Sequence, residues 1–140
     1  YVDSLASPYY PFGYGLSYTN FEYGNIICKN GIIPIEDIHS GKCFELTIEI
    51  KNTGSRFGTE TVQLYICDKT AAISRPLREL KDFKKVSLEP GKAGKVKFML
   101  GATELGYYMP NGEYVIEKGK FDIYIGENAL TNRKIEIEIK

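Results

Sequence analysis

The chain has 140 residues, of which 43% are hydrophobic and 26% are charged, as is typical of a single globular domain. Eighteen basic residues balance 18 acidic ones, so the chain has no net charge, and we expect neither nucleic-acid nor anionic-membrane binding, both of which favour a basic surface. We find no signal peptide and no apolar run near the roughly 18 residues of a membrane-spanning helix.

The first feature in chain order is an aromatic run that ends at Thr19. Its rings are Tyr10, Phe12, Tyr14 and Tyr18. Gly13 and Gly15 interrupt both helical and strand periodicity, and Pro11 lacks a backbone donor, so the run cannot bury these rings in an element of its own. We therefore predict that residues 1–19 are a linker and docking segment whose rings pack against a neighbouring domain. Two alternatives are that they cover the domain's own edge or stack on sugar, since tyrosine suits all three.

From about Phe21 onward, apolar residues alternate with polar ones. The predicted inward rows are Phe44, Leu46, Ile48 and Ile50; Val62, Leu64 and Ile66; Val96, Phe98 and Leu100; Phe121, Ile123 and Ile125; and Ile135, Ile137 and Ile139. This period of two residues predicts strands with one buried face. Turn sequences such as Asn52-Thr53-Gly54 and Glu89-Pro90-Gly91-Lys92 separate them. No window of about 11 residues carries a helical stripe.

Short alternating strands broken by turns predict an all-β fold, an antiparallel β-sandwich over residues 20–140. An antibody-type disulfide is absent because no cysteine follows Cys67, so a fibronectin type III-like (immunoglobulin-like) sandwich fits better. Residues 68–83 are predicted to be a long surface connection. Within it, Arg75 is a second docking candidate, because a guanidinium can bridge to a carboxylate or to carbonyls; a free surface arginine is the alternative.

The cysteines and the single histidine give no sign of a metal site. Cys28, Cys43 and Cys67 have no CxxC spacing, and His39 is expected in a polar loop. We favour reduced thiols over one disulfide with a thiol left over. Together with the absence of an N-x-Ser/Thr sequon, this favours a cytoplasmic location. Because the chain begins with a tyrosine rather than methionine, we interpret it as a processed product or a piece of a longer polypeptide.

A series of motifs in a fixed order carries a family resemblance. The series runs through Pro11-Phe12-Gly13-Tyr14-Gly15-Leu16-Ser17-Tyr18-Thr19, Lys51-Asn52-Thr53-Gly54, Glu60, Val62-Gln63-Leu64-Tyr65, Arg75-Pro76, Glu79-Leu80-Lys81, Pro90-Gly91 and Gly126. In this order the chain resembles the C-terminal fibronectin type III-like domain of glycoside hydrolase family 3 enzymes, the β-glucosidases and β-xylosidases. The resemblance covers roughly residues 8–130.

The resemblance implies a module without catalytic residues or cofactor. Family members are retaining glycosidases whose aspartate nucleophile lies on a barrel domain and whose acid/base carboxylate lies on the α/β-sandwich domain that follows it. Both precede the segment that this chain resembles. The implied partners are therefore these two domains of the same polypeptide, which the module would pack against and stabilise.

Three other functions are the alternatives to this one: catalysis by the chain alone, a carbohydrate-binding module, and an independent adhesion or interaction domain of a surface protein. For catalysis by the chain alone, Glu136 and Glu138 lie two apart on one strand beside lysines, which is typical of a solvated face. A carbohydrate-binding module would instead present a row of exposed rings to polysaccharide. The candidates for such a row are Tyr65, Tyr107, Tyr108, Tyr114 and Tyr124.

Overall fold

The computed structural model describes residues 19–69 and 78–140, in which two β-sheets enclose one apolar core. The elements in chain order are β1 Phe21–Tyr23, β2 Ile27–Cys28, β3 Ile32–Ile33, α1 Ile35–His39, β4 Phe44–Asn52, β5 Gly58–Asp68, β6 Glu79–Leu88, β7 Ala93–Leu100, α2 Ala102–Leu105, β8 Tyr107–Tyr108, β9 Tyr114–Val115, β10 Gly119–Gly126 and β11 Lys134–Ile139. None of the described helices is long and apolar enough to cross a membrane.

The first sheet is built around β4. Strand β7 pairs with β4 in antiparallel register, from Phe44 opposite Leu100 to Lys51 opposite Ala93. The short strands β1 and β2 also pair antiparallel with β4. The second sheet has the order β3-β11-β10-β5-β6 and is antiparallel except for the pairing of β3 with β11. Strand β6 therefore lies at the end of this order, and β8 and β9 form a separate hairpin.

The predicted inward rows form the core between the two sheets. The buried members are Leu46, Ile48, Ile50, Val62, Leu64, Ile66, Val96, Phe98, Leu100, Phe121, Ile123, Ile125, Ile137 and Ile139. Phe44 and Ile135 are half-buried. Full burial of one such side chain stabilises a fold by about 1.5–3 kcal/mol. The all-β sandwich predicted from the alternation is therefore confirmed.

Two local predictions were wrong. His39 does not lie in a loop but at the end of α1, a five-residue helix that buries Ile38. The connection predicted for residues 68–83 is shorter, because β6 begins at Glu79. A bulge explains the second error: Leu64 is opposite Asp82 but Tyr65 is opposite Leu80, which leaves an extra residue on β6 and breaks its alternation.

Candidate docking surface

The predicted docking residues lie outside the described part of the chain. They are Tyr10, Phe12, Tyr14, Tyr18 and Arg75. Their docking role therefore stays a prediction, as does the domain boundary at residue 19. The structure does describe the residues at which the two segments join the sandwich: Thr19 after the aromatic run, and Lys69 and Arg78 on either side of residues 70–77.

Thr19 is held by the fully buried amide of Asn52. The Asn52 Oδ1 atom accepts hydrogen bonds from Thr19 Oγ1 and from the Gly54 backbone N–H, both at 3.0 Å. Its Nδ2 group donates to the carbonyls of Arg56 at 2.8 Å and Leu88 at 2.9 Å. From the sequence alone, Asn52 is expected only as a turn residue. In the structure this side chain joins the start of β1 to the β4–β5 turn and to the end of β6.

Gly54 allows the chain around Thr19 to approach this turn closely. A Cβ atom at Gly54 would lie 1.9 Å from Thr19 Oγ1 and 2.9 Å from the backbone nitrogen of Asn20, so any larger residue would displace the backbone there. The Thr53 backbone N–H donates to the Asn20 carbonyl at 2.9 Å. The Asn52-Thr53-Gly54 turn thus fixes the position of Thr19, the first described residue.

Residues 70–77 are flanked by two cations that attach to the second sheet. Lys69 contacts Asp122 at 3.2 Å and also forms an ion pair with Glu136. The Arg78 guanidinium donates to the carbonyls of Ala129 at 2.7 Å and Thr131 at 2.6 Å. It also lies 3.7 Å from the centre of the Tyr124 ring, within cation–π distance.

The outer side of the second sheet carries rings and aliphatic side chains next to these cations. Tyr124, Tyr65 and Leu80 are consecutive cross-strand partners on β10, β5 and β6, and Phe83 lies opposite Gln63 in a neighbouring pair. Leu80 is 50% exposed and Phe83 is 55% exposed. We call Tyr65, Leu80, Phe83 and Tyr124 the aromatic face.

The strand-face interpretation of Glu136 and Glu138 agrees with their environment. The hydrogen bond from Lys69 lowers the pKa of Glu136 below its usual value. A general acid in a glycosidase needs a raised pKa, so this shift has the wrong direction for that role. Among the described residues, no group of three or more His, Cys, Asp or Glu side chains is placed to bind a metal ion.

A polar residue that sequence analysis did not single out as a site residue is Glu60. Burial raises the pKa of Glu60, and its carboxylate accepts a hydrogen bond from the Tyr23 hydroxyl at 2.7 Å. Burial likewise raises the pKa of Tyr23, whose ring has the Arg133 guanidinium 4.4 Å from its centre. The pair links β1 of the first sheet to β5 of the second. The sequence does contain a signal for this residue. Glu60 alternates in step with the inward residues Val62 and Leu64, so its side chain is expected on the buried face of the strand.

The tyrosines proposed for carbohydrate binding fall into two groups rather than one row. Tyr65 and Tyr124 lie on the second sheet, and Arg78 stacks on the Tyr124 ring. The others belong to the β8–β9 hairpin, where Tyr108 is 72% exposed and meets Tyr114 edge to face with 4.9 Å between ring centres. The remaining candidate, Tyr107, is half-buried in the same hairpin.

A small cleft lies between β2, α1 and β4. Its volume is about 240 Å³, and its lining includes Cys28, Ile38, Cys43 and Phe44. Ordinary small-molecule sites enclose roughly 300–1,000 Å³ and place several polar groups toward one point. The cleft is smaller than such sites.

Comparison with known proteins identifies the family. Residues 60–129, half of the chain, match the fibronectin type III-like domain. The chain belongs to this family. The fold assignment from the alternation and the residue motifs is thereby confirmed, and we refer to the chain below as the Fn3-like domain.

The Fn3-like domain is similar to segments of proteins named as β-glucosidases and β-xylosidases. It is 34% identical to a periplasmic β-glucosidase of Salmonella typhimurium over 139 residues, 99% of this chain and 18% of the relative. It is 37% identical to a β-xylosidase of Formosa agariphila over 129 residues, 92% of this chain and 17% of the relative. A solved β-glucosidase structure from Erythrobacter marinus superposes with a TM-score of 0.80 at 36% identity, covering 100% of this chain and 18% of that one.

The resemblance to glycoside hydrolase family 3 is thus confirmed. The chain spans less than a fifth of the length of each of these relatives. It corresponds to their Fn3-like portion, which is an accessory part of a much longer polypeptide.

Proposed function

We propose that this Fn3-like domain is the non-catalytic C-terminal module of a longer retaining glycoside hydrolase of the β-glucosidase or β-xylosidase type. Its role is to pack against the catalytic barrel and α/β-sandwich domains of the same polypeptide and to stabilise their placement. The observation that carries this proposal is the asymmetric coverage: 92–99% of this chain aligns with relatives of which it forms only 17–18%.

The chemistry of the described carboxylates supports a non-catalytic role. A retaining glycosidase uses an ionised carboxylate and a protonated one about 5 Å apart. Glu136, on the outer side of β11, is held ionised by Lys69. Glu60 has the raised pKa that an acid needs, but its carboxylate accepts a hydrogen bond from Tyr23 at a partly buried position between the two sheets. Each of these two acids has a structural partner.

The fixed position of Thr19 supports a docking role for the residues before it. The hydrogen bond that Thr19 Oγ1 donates to the buried Asn52 side chain and the close approach at Gly54 hold Thr19 against the sandwich. An aromatic segment docks more tightly when its attachment point is already ordered, because less conformational entropy is lost on binding. This is the geometry that an interdomain arm requires.

An activity assay tests the proposal directly. The 140-residue chain and the complete parent polypeptide are compared with aryl β-glucoside and aryl β-xyloside substrates. We expect product release from the parent and none from the chain above a blank purified in parallel. Turnover by the isolated chain would refute the non-catalytic assignment.

A substitution at the position that holds Thr19 tests whether the predicted docking segment, residues 1–19, packs against the catalytic domains. Gly54→Ala forces Thr19 and Asn20 to move, whereas the control Gly31→Ala places its Cβ at an ordinary 3.8 Å from the Glu136 carbonyl. In the parent, we expect Gly54→Ala to lower the thermal stability of the catalytic domains and Gly31→Ala to leave it unchanged. Equal behaviour of the two variants, with the Fn3-like domain still folded, would contradict a docking role for residues before Thr19.

For location, we propose a reducing compartment, with the cytoplasm favoured. The support is that Cys28 and Cys43 are free thiols and that Cys43 is exposed. Fractionation of cells that produce the native polypeptide, with alkylation of thiols before lysis, tests this. Recovery in an oxidising compartment with two of the three thiols protected would refute it.

A further inference from the structure

The two outer faces of the sandwich differ in chemistry. On the outer side of the first sheet, charged side chains of opposite sign are cross-strand partners, as in Glu49 opposite Lys95 and Glu22 opposite Lys51. Glu45 and Lys97 lie 3.9 Å apart on the same side, with both side chains exposed. Such pairs keep a sheet face hydrated. Its two exposed apolar side chains, Ile27 and Met99, each lie opposite a polar residue, Thr47 and Glu45. This face therefore has the mainly polar composition of a surface that remains in water.

The outer side of the second sheet has a different composition. The aromatic face (Tyr65, Leu80, Phe83 and Tyr124) runs across three neighbouring strands. Two of its members are about half exposed, although they belong to a paired strand rather than to a loop tip. Contiguous exposed apolar area on a regular face is typical of an interaction site, whereas single exposed apolar residues are ordinary.

Buried charge borders the aromatic face. Asp122 lies on the outer side of β10, next to Tyr124, yet only 7% of its side chain is exposed. Lys69 and Lys134 each approach it to 3.2 Å. Lys134 also lies 5.7 Å from the centre of the Tyr124 ring. Lys69 and Lys134 are therefore held in place by their contacts with Asp122 and Tyr124. They form a connected charge network along the edge of the aromatic face rather than a set of independent surface charges.

The end strand β6 adds a positive rim. From Arg78 to Leu88 the chain carries the cations Arg78, Lys81, Lys84 and Lys85 against the acids Glu79 and Asp82. Within the described strands, β6 pairs only with β5. An end strand with exposed apolar residues is prone to aggregation unless another part of the protein covers it. Lysines on such a strand reduce aggregation while the strand is uncovered. The complementary partner would be apolar at its centre and acidic at its rim.

We propose that the aromatic face is the surface through which this module contacts the neighbouring domain of its own polypeptide. The inference rests on the proposed function and names the surface that performs it. The occupant is a part of the same chain, because more than four-fifths of each relative's length lies outside the matched segment. The first sheet's outer side, with its paired charges, stays in solvent.

Oxidative footprinting of side chains tests the placement of this interface. Hydroxyl-radical labelling is measured on the isolated chain and on the complete parent polypeptide. We expect Leu80, Phe83 and Tyr65 to lose most of their labelling in the parent, while Ile27 and Met99 on the first sheet keep theirs. Protection of Ile27 and Met99 instead would overturn the inference but leave the proposed function intact. No protection on either sheet would overturn both.

Labelling of the isolated chain alone also tests the inference. If Leu80 and Phe83 are already protected there, the chain itself covers the aromatic face, and the inference is overturned. This measurement needs no parent polypeptide. It therefore distinguishes coverage of the aromatic face by the chain's own residues from contact with another domain.

Matched aspartate substitutions test the energetics. Phe83→Asp is compared with Met99→Asp, since the two side chains are 55% and 45% exposed and lie on outer sides of different sheets. In the isolated chain we expect both variants to unfold at nearly the wild-type temperature. In the parent, Phe83→Asp buries a charge and should weaken domain association by about tenfold or more, seen as separate unfolding of the Fn3-like domain. Met99→Asp should leave one coupled transition, and identical behaviour of the two variants would overturn the inference.

Discussion

Replacement of Asn52 by alanine should be among the most destabilising polar substitutions in this domain. The side chain is fully buried and makes four hydrogen bonds, to Thr19, Gly54, Arg56 and Leu88. Alanine removes all four and leaves the buried Leu88 carbonyl without that donor. An unsatisfied buried polar group costs about 1–3 kcal/mol, whereas groups that regain water cost less. With one fully buried partner and three at partly buried positions, we expect a loss of about 3–5 kcal/mol.

That loss is large beside the roughly 5–15 kcal/mol that stabilises a typical domain. It corresponds to a fall of about 10–17 °C in the melting temperature for a chain of this size. The free energy of unfolding is measured by urea unfolding, followed by far-UV circular dichroism and by fluorescence. The fluorescence signal is that of tyrosine, because the chain contains no tryptophan. Asn52→Asp should be no milder, since it directs a carboxylate oxygen at two carbonyl acceptors.

The matched control is Asn111→Ala. Asn111 also lies in a turn and makes two side-chain hydrogen bonds, both to Glu113, but it is exposed. Water replaces those bonds, so we expect a change within about 1 kcal/mol. If Asn52→Ala cost no more than Asn111→Ala, the assignment of Asn52 as the buried link between Thr19 and the sandwich would be wrong.

Of three further predictions, two concern the Glu60–Tyr23 contact between the two sheets and one concerns the β8–β9 hairpin. Because the folded state raises the pKa of Glu60, the stability from this carboxyl is greatest below its unfolded pKa and is lost as pH rises through the folded pKa; in urea titrations from mild acid to neutral pH, Glu60→Gln should lack that decline, and an unchanged pH profile would contradict it. The folded state also raises the pKa of Tyr23, so stability should fall above about pH 10, where the unfolded tyrosine ionises, and Tyr23→Phe should remove this alkaline loss. A double-mutant cycle of Tyr23→Phe with Glu60→Gln should give a coupling energy of about 0.5–3 kcal/mol. Additive effects of the two substitutions would exclude a direct hydrogen bond. Finally, Tyr108→Ala should not change retention on cellulose or xylan columns, and retention abolished by this change would instead support carbohydrate binding at the hairpin.

The strand pattern was predictable from the sequence because burial on one face imposes a period of two residues. The inward rows on β4, β5, β7 and β10 follow directly from that rule. The short helix α1 was not predictable in the same way, since five residues are too few to display a helical period. The start of β6 was missed because the bulge opposite Leu64 and Tyr65 shifts the parity of the strand.

The site was less predictable, because its important contacts join residues far apart in the chain. Asn52 reads as a turn residue from its neighbours, and its partner Thr19 lies 33 positions away. Glu60 gave a clearer signal, since an acid on an inward row requires a buried partner. That partner, Tyr23, is 37 positions away and could not be named from spacing alone.

The parallel pairing of β3 with β11 has a consequence for the order of events during synthesis. The last strand lies between β3 and β10, so until it leaves the ribosome one side of β10 has no neighbour and Ile33 lacks its cover. Hydrogen bonds from Glu138 to Gly31 and from Lys140 to Ile33 then join segments separated by more than a hundred positions. Such late, distant closure is slow, and an incomplete sheet with an open side is prone to associate with other nascent chains. Chaperone demand during production should therefore depend on how quickly the final strand becomes available.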